Sequence, residues 1–453
     1  MDFSKAEYYD KVVFYSTSFL NFANFMLTKF NNSIIFSDAT FTNVIFLGSS
    51  FQNVTFSNTK FGIADFSKAE FNSYTDFVGA IFAKRAKFLK TIFFNRVDFT
   101  AAEFHRGANF IFTIFEGGNK TLFNIDDISK ISFQNSDISK ISFNANLFFG
   151  KGKDKFKIFD EKLLEWNMYP LFTWDIFPNE RESIKLKKFL KFLDEDWIED
   201  VEFVKVNETT ISVREKEKNP NDIYYYDQAN LKMIFIDKKG SFTNLSSIHD
   251  LKLILDLNKN IVRLIIDGRE EYNFDAQKID DKIKVFTEQV LLNNVITVYR
   301  FLRENFEYNL RYDEAGELFI REMELKRNYK QLSEPSEYTI IKRNIITRNI
   351  SLTGLYYNFF KYGESLLRPL LSLISPLFIF GTIAHLFLNY QVFVENNFAT
   401  TFNSTQLTLL DILQIETENQ KTVLDDIIKI ISLPIIGSLF IPLRRKFERK
   451  FRH

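Results

Sequence analysis

The chain contains no cysteine, which removes disulfide frameworks, thiol nucleophiles, iron–sulfur clusters and every zinc site built on thiolates. Histidine is almost as scarce: His105, His249, His385 and His453 are the four present, and none has a partner at metal-ligand spacing in the sequence. A Gly-rich phosphate loop, a nucleophile elbow and a paired-carboxylate motif are all missing. The sequence therefore reads as non-enzymatic, with no catalytic residue, no metal and no cofactor expected. Net charge is lacking too, since Lys plus Arg and Asp plus Glu both count 58, and no global electrostatic pull on a polyanion remains.

Against these absences stands a surplus of 54 Phe in 453 residues. The length is about three times that of a typical domain, so two to four domains are expected. Twenty-nine of the Phe lie within residues 1–149. Phe36, Phe41, Phe46, Phe51, Phe56, Phe61, Phe66 and Phe71 follow at strict intervals of five, flanked from Phe14 to Phe30 and from Phe77 to Phe115 by steps of five or six. The residue two before each of these twenty Phe is always small or β-branched, Ala64 and Ala69 among them.

A five-residue step rotates a side chain by about 500° around an α-helix, which scatters the rings over every face. In a flat strand an odd step sends successive rings to opposite faces. The pattern becomes coherent only if the chain turns a corner after each short extended segment, so that each Phe and the small residue two before it point inward. That is a solenoid, each coil burying its face against its neighbours. The segments Ala64-Asp65-Phe66-Ser67-Lys68 and Ala69-Glu70-Phe71-Asn72-Ser73 resemble the pentapeptide repeat, and Ala102–Phe110 resembles its eleven-residue variant. The resemblance implies a right-handed quadrilateral β-helix with four short faces per turn. At about 21 residues per turn and about 4.7 Å per strand, 149 residues make roughly seven turns and a rod about 33 Å long. The register breaks at Glu116–Lys120 and resumes at Phe123. Some proteins of this family resemble duplex DNA, which requires an acidic rod. Residues 1–149 hold thirteen acidic and fourteen basic side chains, including the patch Lys84, Arg85, Lys87 and Lys90, so DNA mimicry and nucleic-acid binding are not expected.

Residues 150–282 read as a Lys-rich linker, a helix near 180–194 and a small α+β module with strands at Val201–Val206, Thr210–Val213, Leu231–Ile236, Leu251–Leu257 and Ile261–Ile266. From 283 helical periodicity takes over. Phe286, Val290, Leu291, Val295, Val298, Tyr299 and Leu302 form one stripe and Ala315, Leu318, Phe319 and Met323 a second. This hairpin, within a helical region 283–365, resembles a single tetratricopeptide unit, and structural packing is its simplest reading.

Residues 366–443 read as a two-pass membrane hairpin around an external loop, 389–423. Pro369–Leu388 holds twenty residues without an acidic side chain, Lys or Arg, enough to cross a hydrocarbon core of about 30 Å. Leu424–Leu443 is the poorer second span, carrying Asp425, Asp426, Lys429 and two prolines. The tail 444–453, with Arg444, Arg445, Lys446, Arg449 and Lys450, should remain cytoplasmic and place the rod on the same side. His385, inside the first span, is the polar residue to watch. Tyr362–Pro369 and the basic ending resemble the C-terminal part of archaeal pentapeptide-repeat membrane proteins, some of which carry a potassium-channel-like pore. The loop 389–423 has no Gly for a carbonyl filter and contains an amphipathic run, Leu407–Ile415, suited to a lipid surface. The expected molecule is a scaffold anchored in the cell membrane, its partners the lipid bilayer and a protein on the rod surface, with homo-oligomers allowed. The alternative is a channel-like or membrane-sensing protein with a degenerate pore.

Overall fold

The coils of the rod begin with the first residues. In the computed structural model, which describes residues 1–144, 156–177, 179–193, 201–215, 223–227, 232–236, 242–244, 251–266, 269–287, 290–331, 340–363, 365, 367–388, 397–413, 425–433, 436–437, 440 and 444, strands from Glu7–Tyr8 to Ser142–Phe143 pair only in parallel. They form two sheets, of eleven and eight strands. Phe41 is in register with Phe61, Phe61 with Phe82 and Phe82 with Phe104, so one turn takes twenty to twenty-two residues. Where Phe recurs every five residues, Ser50–Thr55 and Lys60–Asp65 run unbroken over a corner. Six-residue steps are absorbed in two ways: Ser18–Asn24 and Lys29–Ile35 stay unbroken with an irregularity in register, whereas later coils break into pairs, Ser50–Thr55 meeting Glu70–Phe71 with its first half and Thr75–Asp76 with its second.

Every second corner is a tight turn. Lys5, Ser16, Leu27, Asp38, Gly48, Asn58, Lys68, Gly79, Lys90, Ala101 and Phe112, each two residues after an inward aromatic, have φ between 53° and 65°. The Phe36 carbonyl accepts from Ala39 N–H at 3.0 Å, and Phe66 from Ala69 likewise, which makes these type II turns. A left-handed conformation costs a non-Gly residue about 1 kcal/mol. Here its N–H donates to the next coil, as Asp38 does to the Ser57 carbonyl (2.9 Å) and Lys68 to Leu89 (2.8 Å), so the inter-coil ladder holds the turn in place.

Inside, the rings form four columns. One runs through Phe3, Phe25, Phe46, Phe66, Phe88, Phe110 and Phe133, with centroids 4.5–5.7 Å apart; Phe19, Phe41, Phe61, Phe82 and Phe104 make another. Small residues fill the rows between. Where one is Thr, a buried hydroxyl can donate to a carbonyl one coil back: Thr59 to Phe36 at 2.7 Å, Thr91 to Phe66 at 2.8 Å, Thr113 to Phe88 at 2.7 Å. At these positions the hydroxyl is accepted in a dry core because it has a partner.

Helix α1 (Phe159–Asn167) covers the edge strand Ile131–Ser132. Its fully buried Asp160 accepts from the Ser132 hydroxyl, Phe133 N–H (3.1 Å) and the Gln134 amide (3.1 Å), and Arg85 lies 4.3 Å over the Phe159 ring. Burial pushes the Asp160 carboxyl up to about 6.

Beyond α1, seven strands form a sheet in which Phe172–Thr173, Lys282–Phe286, Arg269–Ile279, Ile261–Ile266, Leu251–Asp256, Thr210–Glu215 and Val201–Asn207 lie side by side, all antiparallel. Helix α2 (Glu180–Phe192), capped by Asn179, packs Phe189 against Tyr272 and Phe274. Residues 282–286 are a strand where the periodicity suggests the start of a helix. The cause is the hairpin turn Asp280-Asp281, whose φ values of 52° and 56° fit a two-residue type I′ loop.

The contacts divide the chain into Met1–Val298 with Gln331–Ile341, and Tyr299–Lys330 with Lys342–His453. Helix α3 (Leu292–Tyr308) is followed by α4 (Tyr312–Asn328), whose buried Glu322 accepts from Arg303 at 2.8 Å and Lys326 at 2.6 Å. Two short helices follow, α5 (Ile345–Ile350) and α6 (Leu352–Phe360).

Leu367–Leu388 follows a helical path in three pieces: a turn at Leu367–Pro369, a π-helical turn at Leu370–Ile374, and α7 (Ser375–Leu388). Pro376 supplies the break, because it lacks the N–H for an α-helical bond to residue 372 and its ring crowds that carbonyl. Helix α8 (Asn397–Ile412) packs on α7, and residues 425–433 form α9. Among the described residues no helix is long and apolar enough to cross a membrane, which corrects the expectation of a continuous span at Pro369–Leu388. Most of the orienting tail, Arg445, Lys446, Arg449 and Lys450 included, lies outside the described residues, and Arg444 is exposed.

Candidate functional site

Two regions place chemistry in the open or in an unusual setting. The first is the rod surface. Phe36, Phe41, Phe46, Phe51, Phe56, Phe61, Phe66, Phe71, Ala64 and Ala69 are all buried, so recognition is left to the outward positions. On one face these stack into a polar ladder: Ser37 meets Thr55 at 3.2 Å, Ser57 donates to Asp76, and Arg96 pairs with Asp98 at 2.8 Å while lying 5.3 Å over the Tyr74 ring. Burial raises the Asp98 pKa, but hydrogen bonds from Thr100 and Arg96 outweigh it and leave the carboxyl below its ordinary value. Of the basic patch, Arg85 is committed to α1 and to the Lys130 carbonyl at 3.2 Å. His105 lies exposed on a corner, 2.8 Å from Glu103; His249 and His453 are outside the described residues.

The second region lies among α7, α8 and α9. Helix α7 turns Leu377, Gly381 and His385 inward, four residues apart; α8 turns in Ser404, Thr408, Asp411 and Ile412; α9 turns in Ile428 and Ser432. A Cβ on Gly381 would come within 2.5 Å of the Thr408 methyl, so glycine permits the close approach of α7 and α8. Leu377, Ile412 and Ile428 form the apolar floor. Above it, His385 Nε2 stands 3.4 Å from Asp411 Oδ2 and 3.4 Å from Asp425 Oδ1, and Lys429 Nζ is 3.5 Å from Asp411 Oδ1. Many large apolar side chains lie on the outer faces: Phe387 is 80% and Ile430 72% exposed, with Ile379, Phe380, Ile383, Phe402, Leu409 and Leu413 also in the open, beside the exposed Asn403, Gln406 and Asp426. Within the described part of the amphipathic run Leu407–Ile415, Thr408 and Asp411 face inward. Sequence spacing hid this cluster, because its members are 26 and 40 residues from His385 and lie on separate helices.

The pentapeptide-repeat family model matches residues 36–81, as nine copies. Residues 36–81 are pentapeptide repeats. With the coils around them they make a pentapeptide-repeat β-solenoid of about seven turns, followed by helices and strands. An uncharacterized protein of Methanocaldococcus jannaschii is 26% identical over 245 residues, covering 49% of this chain and 49% of its own; the chain thus spans about half the length of this curated relative.

Proposed function

We propose that the protein is a non-enzymatic scaffold whose solenoid rod binds a protein partner, and whose C-terminal helices hold it at a membrane with the rod and basic tail on the cytoplasmic side. The rod supports the first half, because its interior is filled by Phe rings and recognition falls to a regular outer surface of ladders such as that through Tyr74 and Arg96. The observation that carries the second half is the inverted polarity of α7, α8 and α9. Ser404, Thr408, Asp411, His385 and Ser432 are buried while large apolar side chains face outward, the arrangement expected when hydrocarbon is the solvent. Exposed apolar side chains gathered on one set of helices mark an interaction or membrane surface.

The test combines fractionation with purification from native membranes. Protein that stays with the membrane in carbonate and leaves it in detergent fits the anchor; release by carbonate refutes it. A partner that co-purifies with the full chain and is lost on Tyr74→Ser with Arg96→Glu fits the scaffold. A cation conductance in proteoliposomes that requires residues 366–443 replaces the scaffold with the pore.

A further inference from the structure

We propose that His385, Asp411 and Asp425 form a binding site for one divalent first-row metal ion, of which Zn²⁺ is the representative, and that the ion staples α7, α8 and α9 together. The inference is independent of what the rod binds.

Geometry carries it first. One ligand atom from each residue, His385 Nε2 and a carboxylate oxygen from each Asp, lies within 4.8 Å of the other two. Among the described residues this is the one place where three such groups converge. The two imidazole-to-carboxylate distances are both 3.4 Å. A charge-assisted hydrogen bond runs at about 2.7–2.9 Å. By contrast, two ligands bound tetrahedrally to one ion at about 2.0–2.1 Å each stand about 3.3–3.4 Å apart. Both imidazole-to-carboxylate spacings are those of ligands around an ion, the two carboxylates lie within 4.8 Å of each other, and three protein ligands leave a fourth position for water.

Burial carries it second. Asp411 is 4% exposed, and its Oδ2, the oxygen facing His385, takes part in no hydrogen bond. A carboxylate removed from water needs a cation or donors to offset several kcal/mol of lost hydration. Lys429 approaches the other oxygen, Oδ1, at 3.5 Å, and Oδ2 is left facing His385. An imidazole nitrogen with two carboxylates is a donor set that suits zinc and its first-row neighbours.

The rival account is a protonated His385 held between the two carboxylates, with no affinity for metal. To separate them, the full chain in detergent is stripped with chelator and titrated with Zn²⁺ and Co²⁺. One equivalent should bind with a dissociation constant in the micromolar range or below. The Co²⁺ form should show the intense visible absorption of a tetrahedral site, and Zn²⁺ should raise the melting temperature. Asp411→Asn, close in shape, should weaken binding at least tenfold, His385→Gln should abolish the absorption band, and Lys429→Gln should tighten binding by removing a competing cation. If a variant loses the wild-type circular dichroism, Asp425→Asn is read in its place, with the same tenfold loss expected. Absence of saturable binding to the wild type overturns the proposal, as does binding unaltered by both Asp411→Asn and His385→Gln.

Discussion

Replacing Phe46 by Ala removes a ring from the centre of a column. Phe46 is fully buried; it stacks on Phe25 at 5.0 Å and Phe66 at 5.1 Å and meets Phe36, Phe51 and Phe56 edge-on at 5.5–5.7 Å. Burying a Phe and then deleting its ring typically costs about 3–5 kcal/mol. The upper part of that range applies, because parallel ladder bonds fix the coils about 4.8 Å apart and the hole cannot close. The loss of offset and edge contacts, each worth about 0.5–1.5 kcal/mol beyond area, acts in the same direction. Phe112, 50% exposed on a corner, is the matched control, and its replacement by Ala should cost under about 1 kcal/mol. Denaturant unfolding of the full chain followed by circular dichroism gives the two values, and hydrogen exchange locates them. In a solenoid each coil leans on its neighbours, so protection should fall mainly between residues 25 and 66. A loss below about 1.5 kcal/mol for Phe46→Ala, or one no larger than for Phe112→Ala, refutes the reasoning.

Asp160 sets a pH dependence with an unusual sign. Its carboxyl is raised from 3.8 to about 6 by burial, so the native state holds the proton more tightly than the unfolded chain; the contribution is complete below pH 3.8 and is lost as pH rises through 6. The difference is about 3 kcal/mol between pH 3.5 and 7, measurable by denaturant titration at the two pH values, and Asp160→Asn should remove it; an equal slope in the variant contradicts the assignment. Gly62 marks a close approach of two coils, since a Cβ there would lie 2.2 Å from the Thr42 carbonyl oxygen. Gly62→Ala should therefore cost about 2 kcal/mol through forced separation, read in the same assay, and a neutral result would show that the coils move apart freely.

The solenoid was legible because its signal is redundant: each inward Phe and each small residue two before it repeats one packing requirement over some twenty positions. Elsewhere the determinants are single residues or distant ones. Residues 282–286 satisfy a helical stripe through Phe286, and only the Asp280-Asp281 turn selects the hairpin. Pro369–Leu388 reads as uniformly apolar, yet Pro376 alone divides its helical path, a local hydrogen-bonding effect that hydropathy does not register. The grouping of His385 with Asp411 and Asp425 depends on the packing of three helices, which no spacing rule encodes. The same packing turns the polar stripe of α8 inward.

The proposed binding face exists only if the chain winds once every twenty to twenty-two residues, and the lack of cysteine makes that winding directly measurable. Ser50 pairs with Glu70, and Glu70 with Ile92, on successive coils, about 4.8 Å apart; Ser50 and Lys60 belong to different sheets. Pyrene attached to the double variants Ser50→Cys with Glu70→Cys, and Glu70→Cys with Ile92→Cys, should give strong excimer emission, while Ser50→Cys with Lys60→Cys should give monomer emission alone. Excimer absent from both stacked pairs, or equally strong in all three, would contradict the solenoid on which the account rests.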